Sequence, residues 1–221
     1  MSFTQHIKKI ADWIPPENWL EIETIDAHTA GEPLRIILSG FPEIKGNTIL
    51  EKRRYIKENL DNLRTALMWE PRGHVDMYGC IIVPPEKEDS DFGVLFLHNE
   101  GYSSMCGHGI IAITKVVLET GMYEKKEPIT KIKIDTPAGL VTSFARIENQ
   151  IIKSIYFQNV PSFVLLENKE VFVYGLGKIK FDVAFGGAFY AFVKANDAKV
   201  KMTSDSFREL IEKGMAIKNA V

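Results

Sequence analysis

The sequence predicts a mixed α/β fold of the α+β kind, and three observations support this. Short segments that alternate apolar and polar residues recur along most of the chain, as in strands with one buried face. Residues 106–120 are apolar on nearly all sides, which is typical of a helix in the middle of a domain. Residues 3–14, 49–68 and 204–220 are amphipathic with a helical period, which indicates helices packed by one face.

The composition indicates a globular, soluble chain without a nucleic-acid or membrane partner. Of the 221 residues, 45% are hydrophobic and 25% are charged, enough for one large or two small domains. The net charge of −2 gives no electrostatic reason to bind nucleic acid or an anionic membrane, and no apolar run is long enough to span a bilayer. Two cysteines do not make a disulfide framework. We therefore expect a cytoplasmic location.

The first third of the chain predicts an extension, two strands and a helix. Residues 1–18 are expected to form an amphipathic extension rather than a secretory signal, because apolar residues recur at helical spacing before a Pro-Pro pair. Residues 19–26 and 34–38 predict strands joined by a polar loop over 26–33. One helix is predicted over 49–68, and its apolar face carries Ile56, Leu60, Leu63 and Leu67.

The remainder predicts a central helix among strands. The helix begins at Cys106 and ends near Thr120, with Gly121 as its C′ residue. A helix is also expected over 204–220, with Ser204 or Ser206 as its N-cap. Pro161 marks an expected boundary between a first domain over 19–160 and a second over 161–221, which is small for an independent core. Strands are predicted at 77–83, 92–97, 131–136, 140–148, 151–158, 162–166, 170–174, 178–185 and 188–194.

Cys106 is the strongest candidate for a functional residue. A helix N-terminus offers unpaired N–H groups and a partial positive charge, which favour both a thiolate and a bound carboxylate. Packing alone does not call for Gly107 and Gly109 in the first helical turn, where each costs about 1 kcal/mol relative to alanine. A buried, inert Cys106 and a redox-sensing thiol are the alternatives.

The other candidate residues leave several roles open. Cys80 has no polar neighbours in its predicted strand and is expected to be structural. His108 could steady a thiolate, line a pocket or supply only its backbone N–H. The loop 70–74 could end a helix or form the rim of an active site. A metal site is not expected, since no pair has strong ligand spacing among His28, His74, His98, Glu100 and His108.

Four separated segments resemble the proline racemase family, which contains proline racemases, hydroxyproline epimerases and trans-3-hydroxy-L-proline dehydratases. The resemblance runs from about Glu21 to Val221. Within the family, residues 96–104 look more like the dehydratases than the racemases, and residues 189–193 lean the same way. The four segments are Asp26-Ala27-His28-Thr29-Ala30-Gly31-Glu32-Pro33, Glu70-Pro71-Arg72-Gly73-His74-Val75-Asp76-Met77-Tyr78-Gly79, Met105-Cys106-Gly107-His108-Gly109 and Phe185-Gly186-Gly187-Ala188-Phe189-Tyr190-Ala191.

The resemblance implies a diaminopimelate-epimerase-like fold, in which a curved sheet wraps around a central helix in each of two similar halves. The active site would lie in the cleft between the halves, with helix N-termini binding the substrate carboxylate and no cofactor or metal taking part. By motif position, Cys106 would be the first-half acid/base. Gly107 and His108 would contact substrate, and Tyr78 would form an aromatic wall of the pocket.

The resemblance also implies a reaction on a proline-like amino acid. The leading hypothesis is a lyase of hydroxyproline metabolism that dehydrates trans-3-hydroxy-L-proline to Δ1-pyrroline-2-carboxylate. The alternatives are a proline racemase or 4-hydroxyproline epimerase, and a non-catalytic half that needs a partner chain to complete the cleft. Family members carry a second signature that should fall well beyond Val221, with cysteine in racemases and threonine in dehydratases. We therefore expect an incomplete second domain here. The oligomeric state stays open, a homodimer included.

Overall fold

The computed structural model describes residues 2–221, and Met1 of the predicted extension lies outside them. No helix in this part of the chain is both long and apolar enough to cross a bilayer. The helices are α1 (Phe3–Ala11), α2 (Ile49–Asn59), α3 (Asp61–Met68), α4 (Gly107–Glu119) and α5 (Phe207–Ala220). The strands are β1 (Glu23–Thr29), β2 (Glu32–Ser39), β3 (Tyr78–Val83), β4 (Phe92–His98), β5 (Gly101–Ser103), β6 (Ile129–Thr136), β7 (Gly139–Glu148), β8 (Ile151–Gln158), β9 (Phe163–Val173), β10 (Gly177–Phe185) and β11 (Phe189–Phe192).

Eight strands form one sheet that curves around α4. Their order is β1-β2-β3-β4-β6-β7-β8, and β5 pairs with β4 outside this path. The pairs β2–β3 and β4–β6 are parallel, and the others are antiparallel. Helix α4 contacts β1 and β2 at one end of this order and β7 and β8 at the other end. A flat sheet could not touch one helix with both of its ends, so the predicted α/β fold with a sheet around a central helix is confirmed.

Apolar side chains on both faces of the curved sheet hold this arrangement. On the inner face, Ile110 and Ile113 of α4 are fully buried against strands of both halves of the sheet. On the outer face, α2 and α3 cover the sheet, and Ile56 and Met68 are fully buried there. Thr114 of α4 is also fully buried, and its hydroxyl is hydrogen-bonded to the hydroxyl of Ser143 in β7 at 2.8 Å. The inner core therefore fixes both the depth and the rotation of α4.

The predicted loop over 26–33 is wrong, because these residues form the turn of a β-hairpin and the adjoining parts of both strands. β1 and β2 pair in antiparallel register from Glu23 to Ser39. Their two-residue turn, Ala30-Gly31, has positive φ at both positions, 52° and 101°, as a type I′ turn requires. Alanine is uncommon at such a position, so the sequence lacks the usual Asn-Gly signal of this turn.

Two other predicted boundaries also differ from the structure. The predicted helix 49–68 is two helices, which meet at Leu60 with φ −130° and ψ 16°. The two strands predicted over 162–166 and 170–174 are one strand, β9, with an irregular register. Asn168 has a φ of 52° and its N–H donates to Asp182 Oδ1 at 2.7 Å, so the polar interruption is a bulge within a strand.

A second, three-stranded sheet of order β11-β10-β9 follows, with α5 packed against β9. Ser206 is the N-cap residue of α5, but its side chain makes no capping hydrogen bond. The sheet begins at Phe163, shortly after Pro161. The division into domains over 1–18, 19–160 and 161–221 stays a prediction.

Candidate active site

Cys106 is the N-cap residue of α4, as predicted. Its φ and ψ are −143° and 110°, and the N–H of Gly109 donates to its sulfur at 3.4 Å. The cysteine is only 6% exposed. Within residues 2–221 the N–H of Gly107 donates to no acceptor. The head of the helix therefore holds the sulfur beside an amide that remains free for a ligand.

The structure corrects the argument that packing does not call for glycine in this turn. A Cβ atom at position 109 would lie 2.8 Å from Cε1 of Phe96 and 3.1 Å from the sulfur of Cys106. One at position 107 would lie 3.1 Å from Cζ of Phe157. Close packing of aromatic rings against the helix is therefore enough to favour both glycines, and Gly109 also leaves room for the sulfur.

The imidazole of His108 lies beside the thiol. Its Nδ1 is 3.3 Å from the sulfur, and its Nε2 is 3.2 Å from the carbonyl oxygen of Pro33. A carbonyl only accepts, so Nε2 carries the proton in the neutral ring and Nδ1 presents its lone pair to the sulfur. Thr29 donates to the carbonyl of His108 at 2.9 Å. Of the roles left open for His108, the structure therefore favours one that involves its side chain.

Tyr78 forms the adjoining wall, between two histidines. Its ring stacks on His98 with centroids 5.5 Å apart and meets the edge of His108 at 5.0 Å. Its hydroxyl is hydrogen-bonded to the hydroxyl of Ser103. Burial raises the pKa of Tyr78, and the nearby Cys106 raises it further. The phenol therefore keeps its proton at neutral pH.

Burial, rather than the helix terminus, decides the ionisation of Cys106. Burial raises the pKa of this thiol to about 11, although the N–H of Gly109, which donates to the sulfur, and the nearby hydroxyl of Tyr78 lower it. The amides at the helix N-terminus favour a thiolate, as expected, but loss of water around the sulfur outweighs them. Cys80 is completely buried in apolar surroundings, as expected of a structural cysteine.

Arg64 and Asn99 fix the turn that carries His98. The guanidinium of Arg64 pairs with Asp61 at 2.6 Å and donates to the carbonyls of His98 and Asn99. The side chain of Asn99 donates to Met68 O at 2.8 Å and to His74 O. Both residues are buried. The turn between β4 and β5 is thus tied to the end of α3.

Sequence reasoning missed Arg64, Asn99, Ser103 and Thr29. The face predicted for residues 49–68 placed Leu63 inside, whereas Arg64 is the more buried of the two. The available signal was position within the segments of resemblance: Asn99 and Ser103 lie in the one that resembles the dehydratases, and Thr29 lies in the one over 26–33.

A cavity of about 560 Å³ opens beside these side chains. Tyr78, Ser103 and His108 line it, together with His98 and Glu100. The loop 70–74 was predicted either to end a helix or to form the rim of an active site. In it, the carbonyl of Arg72 accepts from Arg35, and the carbonyl of His74 accepts from Asn99. Residues flanking that loop, Trp69, Val75 and Asp76, reach the cavity. No group of three metal-ligating side chains occurs in the described part of the chain.

Comparison with known proteins shows which proteins this chain is similar to. The chain is 47% identical to a trans-3-hydroxy-L-proline dehydratase of Colwellia psychrerythraea, over all of this chain and 63% of the relative. It is 44% identical to a trans-L-3-hydroxyproline dehydratase of Xenopus tropicalis, over 94% of this chain and 60% of the relative. It is 43% identical to a proline racemase of Acetoanaerobium sticklandii, over 90% and 60% of the two chains. The chain thus spans about three fifths of the length of these relatives.

The fold has a counterpart among solved structures. A hydroxyproline epimerase from Agrobacterium vitis, solved with bound trans-4-hydroxy-L-proline, matches with a TM-score of 0.85 and 30% identity. The match covers 90% of this chain and 58% of that one. The family model described as proline racemase matches residues 24–221. The chain therefore belongs to the proline racemase family.

Proposed function

We propose that this protein removes the Cα proton of a proline-like amino acid without a cofactor, and that it dehydrates trans-3-hydroxy-L-proline to Δ1-pyrroline-2-carboxylate. The observation that carries the proposal is the Cys106 sulfur at the head of α4, 3.3 Å from Nδ1 of His108. Dehydratases among the relatives, at 47% and 44% identity, support the choice of reaction.

The helix terminus is suited to the substrate carboxylate. The N–H of Gly107 points out of the first turn with no acceptor in the described chain, and the positive end of the helix dipole lies at the same place. A carboxylate bound to Gly107 and His108 would set the Cα of the amino acid beside the Cys106 sulfur. Oriented amides also stabilise the charge that develops on the carboxylate when Cα loses its proton.

Cys106 is suited to act as the base once His108 takes its proton. The thiol would transfer its proton to Nδ1, which presents a lone pair to the sulfur at 3.3 Å. A thiolate whose conjugate acid has a pKa of about 11 is a stronger base than an ordinary cysteine thiolate. This matters because the Cα–H bond of an amino acid is only weakly acidic.

Racemisation or epimerisation is the second candidate, because a proline racemase at 43% identity and a hydroxyproline epimerase at 30% are also relatives. These reactions need an acid/base group on each face of the ring, whereas dehydration can begin with the one group that this chain supplies. A non-catalytic role would require the sulfur, the free amide and the cavity to serve no substrate. A cytoplasmic location is part of the proposal, and the oligomeric state stays open, a homodimer included.

The experiment incubates the protein, expressed from its complete gene, with each of three substrates. Trans-3-hydroxy-L-proline should yield a pyrroline that is trapped with o-aminobenzaldehyde. L-proline and trans-4-hydroxy-L-proline should keep their optical rotation. If L-proline or trans-4-hydroxy-L-proline lost optical rotation and trans-3-hydroxy-L-proline gave no pyrroline, racemisation or epimerisation would replace dehydration as the proposed reaction. No reaction with any of the three would favour the non-catalytic alternative.

A further inference from the structure

We propose that the hydroxyl of Tyr78, supported by that of Ser103, is the proton donor to the ring hydroxyl that leaves the substrate. This inference rests on the proposed dehydration and assigns its second chemical step. Breaking the C3–O bond releases hydroxide unless an acid supplies a proton, so a dehydratase needs a donor close to its base.

The sheet brings the two hydroxyls together on the wall next to Cys106. Tyr78 in β3 pairs with His98 of β4, and Ser103 in β5 pairs with Phe96 of the same strand. Their hydroxyls are hydrogen-bonded to each other, and both side chains line the cavity with His108. The Tyr78 ring meets the ring of His108 at 5.0 Å, and Nδ1 of His108 is 3.3 Å from the Cys106 sulfur. The donor therefore lies in the same cluster of side chains as the base.

The stereochemistry of the substrate requires this proximity. In trans-3-hydroxy-L-proline the C3 hydroxyl and the carboxylate lie on opposite faces of the ring. The Cα hydrogen is also opposite the carboxylate, so the hydrogen and the hydroxyl share one face. A base that reaches that hydrogen thus has the departing hydroxyl on its own side of the ring. The donor is expected near Cys106, and Tyr78 lies against His108, the neighbour of the thiol, with Ser103 hydrogen-bonded to its hydroxyl.

The protons balance within this group of residues. The Cα–H bond breaks and its proton goes to the Cys106 thiolate, while the electron pair forms the Cα–C3 double bond and expels the C3 oxygen. That oxygen takes the phenolic proton of Tyr78 and leaves as water. The Cys106 thiol then returns its proton to the Tyr78 phenolate in the same cluster of side chains. The net change is substrate to enamine plus water, and both side chains regain their starting states.

The protonation state of Tyr78 agrees with this role. Burial raises the pKa of its hydroxyl, so the phenol is protonated when substrate binds. The two flanking histidine rings hold the phenol ring in place, with centroid distances of 5.5 and 5.0 Å. A phenylalanine at this position would keep the ring packing and remove only the donor.

The test follows Tyr78→Phe in the complete protein with trans-3-hydroxy-L-proline in D₂O. Pyrroline formation should fall by about 10²- to 10⁴-fold, the usual contribution of a general acid. Recovered substrate should gain deuterium at Cα, because proton removal by Cys106 continues while the C–O bond stays intact. Cys106→Ala should lose both pyrroline formation and deuterium incorporation at Cα. A structural defect would not produce labelled, undehydrated substrate.

Tyr123→Phe is the matched control. Its hydroxyl donates to the carbonyl of Asp91 at 2.7 Å, away from the cavity, so this variant should dehydrate at the wild-type rate. The inference would be overturned if the Tyr78→Phe variant dehydrated the substrate at the wild-type rate. It would also be overturned if this variant formed no pyrroline and left the substrate without deuterium at Cα. If the wild-type protein itself forms no pyrroline, it is the proposed function that fails.

Discussion

The Cys106 sulfur lies 3.3 Å from Nδ1 of His108, two residues later at the head of the same helix. Residues far away in the sequence hold the imidazole there, since Pro33 faces its Nε2 and Thr29 donates to its carbonyl. The β1–β2 hairpin thus orients the histidine that neighbours the candidate base. A hairpin that sequence analysis takes for a loop is therefore part of the site.

The reactivity of Cys106 should depend steeply on pH. Because the thiol has a pKa of about 11, raised from 9.0 mainly by burial, only a small fraction is thiolate at pH 7 to 9. Alkylation by iodoacetamide, which needs the thiolate, should rise about tenfold per pH unit up to about pH 11. The measurement is the labelling rate at Cys106 by mass spectrometry.

Cys80 provides the internal control for this labelling. It is completely buried, and burial also raises the pKa of its thiol, so it should stay unmodified in the folded protein and react after denaturation. A labelling midpoint for Cys106 below pH 9 would contradict the account, since it would mean that the helix amides outweigh burial.

Gly109→Ala should lower both stability and activity. The added Cβ would lie 2.8 Å from Phe96 and 3.1 Å from the Cys106 sulfur, so the ring or the sulfur must move. Overpacking of this kind costs about 1–3 kcal/mol of unfolding free energy. Urea denaturation measures this loss, and the dehydration rate of the complete protein reports the displaced sulfur.

Gly214→Ala in α5 is the matched control. No heavy atom lies within 4 Å of a Cβ at this position, so the change should stabilise the helix by up to about 1 kcal/mol. If both substitutions changed the unfolding free energy equally, position 109 would not need glycine to leave room for the sulfur.

Arg64→Met should destabilise the protein and loosen the turn that carries His98. The carbonyls of His98 and Asn99 would both lose the guanidinium as a donor, and that of Asn99 would keep the indole N–H of Trp69 at 3.0 Å. A hydrogen bond to a charged group contributes about 1.5–3 kcal/mol. The unfolding free energy measures the loss, and hydrogen exchange at Glu100 and Gly101 should quicken.

Arg54→Met in the neighbouring helix is the comparison. Arg54 is exposed, so its loss should change the unfolding free energy by no more than about 0.5 kcal/mol. If Arg64→Met proved equally neutral, the turn between β4 and β5 would not depend on the guanidinium.

Features that depend on local sequence were predicted well. The apolar sides of residues 106–120 indicated a central helix, and α4 occupies Gly107–Glu119 with Cys106 as its cap. Gly121 follows with a φ of 78°, as a C′ residue should. The alternation of apolar residues likewise located β3, β4, β6, β7 and β8 to within a few residues, but not the three-residue strand β5.

Features that depend on distant contacts could not be predicted in this way. The pKa of Cys106 depends on how much protein covers the sulfur, and no local pattern reports that. The pairing of Tyr78 with Ser103 arises because β3 and β5 both pair with β4. By its sequence position Arg64 is expected on the surface of an amphipathic helix. It is nevertheless buried, and its guanidinium donates to two carbonyls of the turn between β4 and β5.

The role of Cys106 in taking the Cα proton is tested by the rate of pyrroline formation from trans-3-hydroxy-L-proline by the complete protein and its Cys106→Ala variant. We expect turnover by the wild type and a loss of at least about 10²-fold in the variant, which keeps the wild-type unfolding free energy to within about 1 kcal/mol. A folded Cys106→Ala variant that forms pyrroline at the wild-type rate would contradict this role.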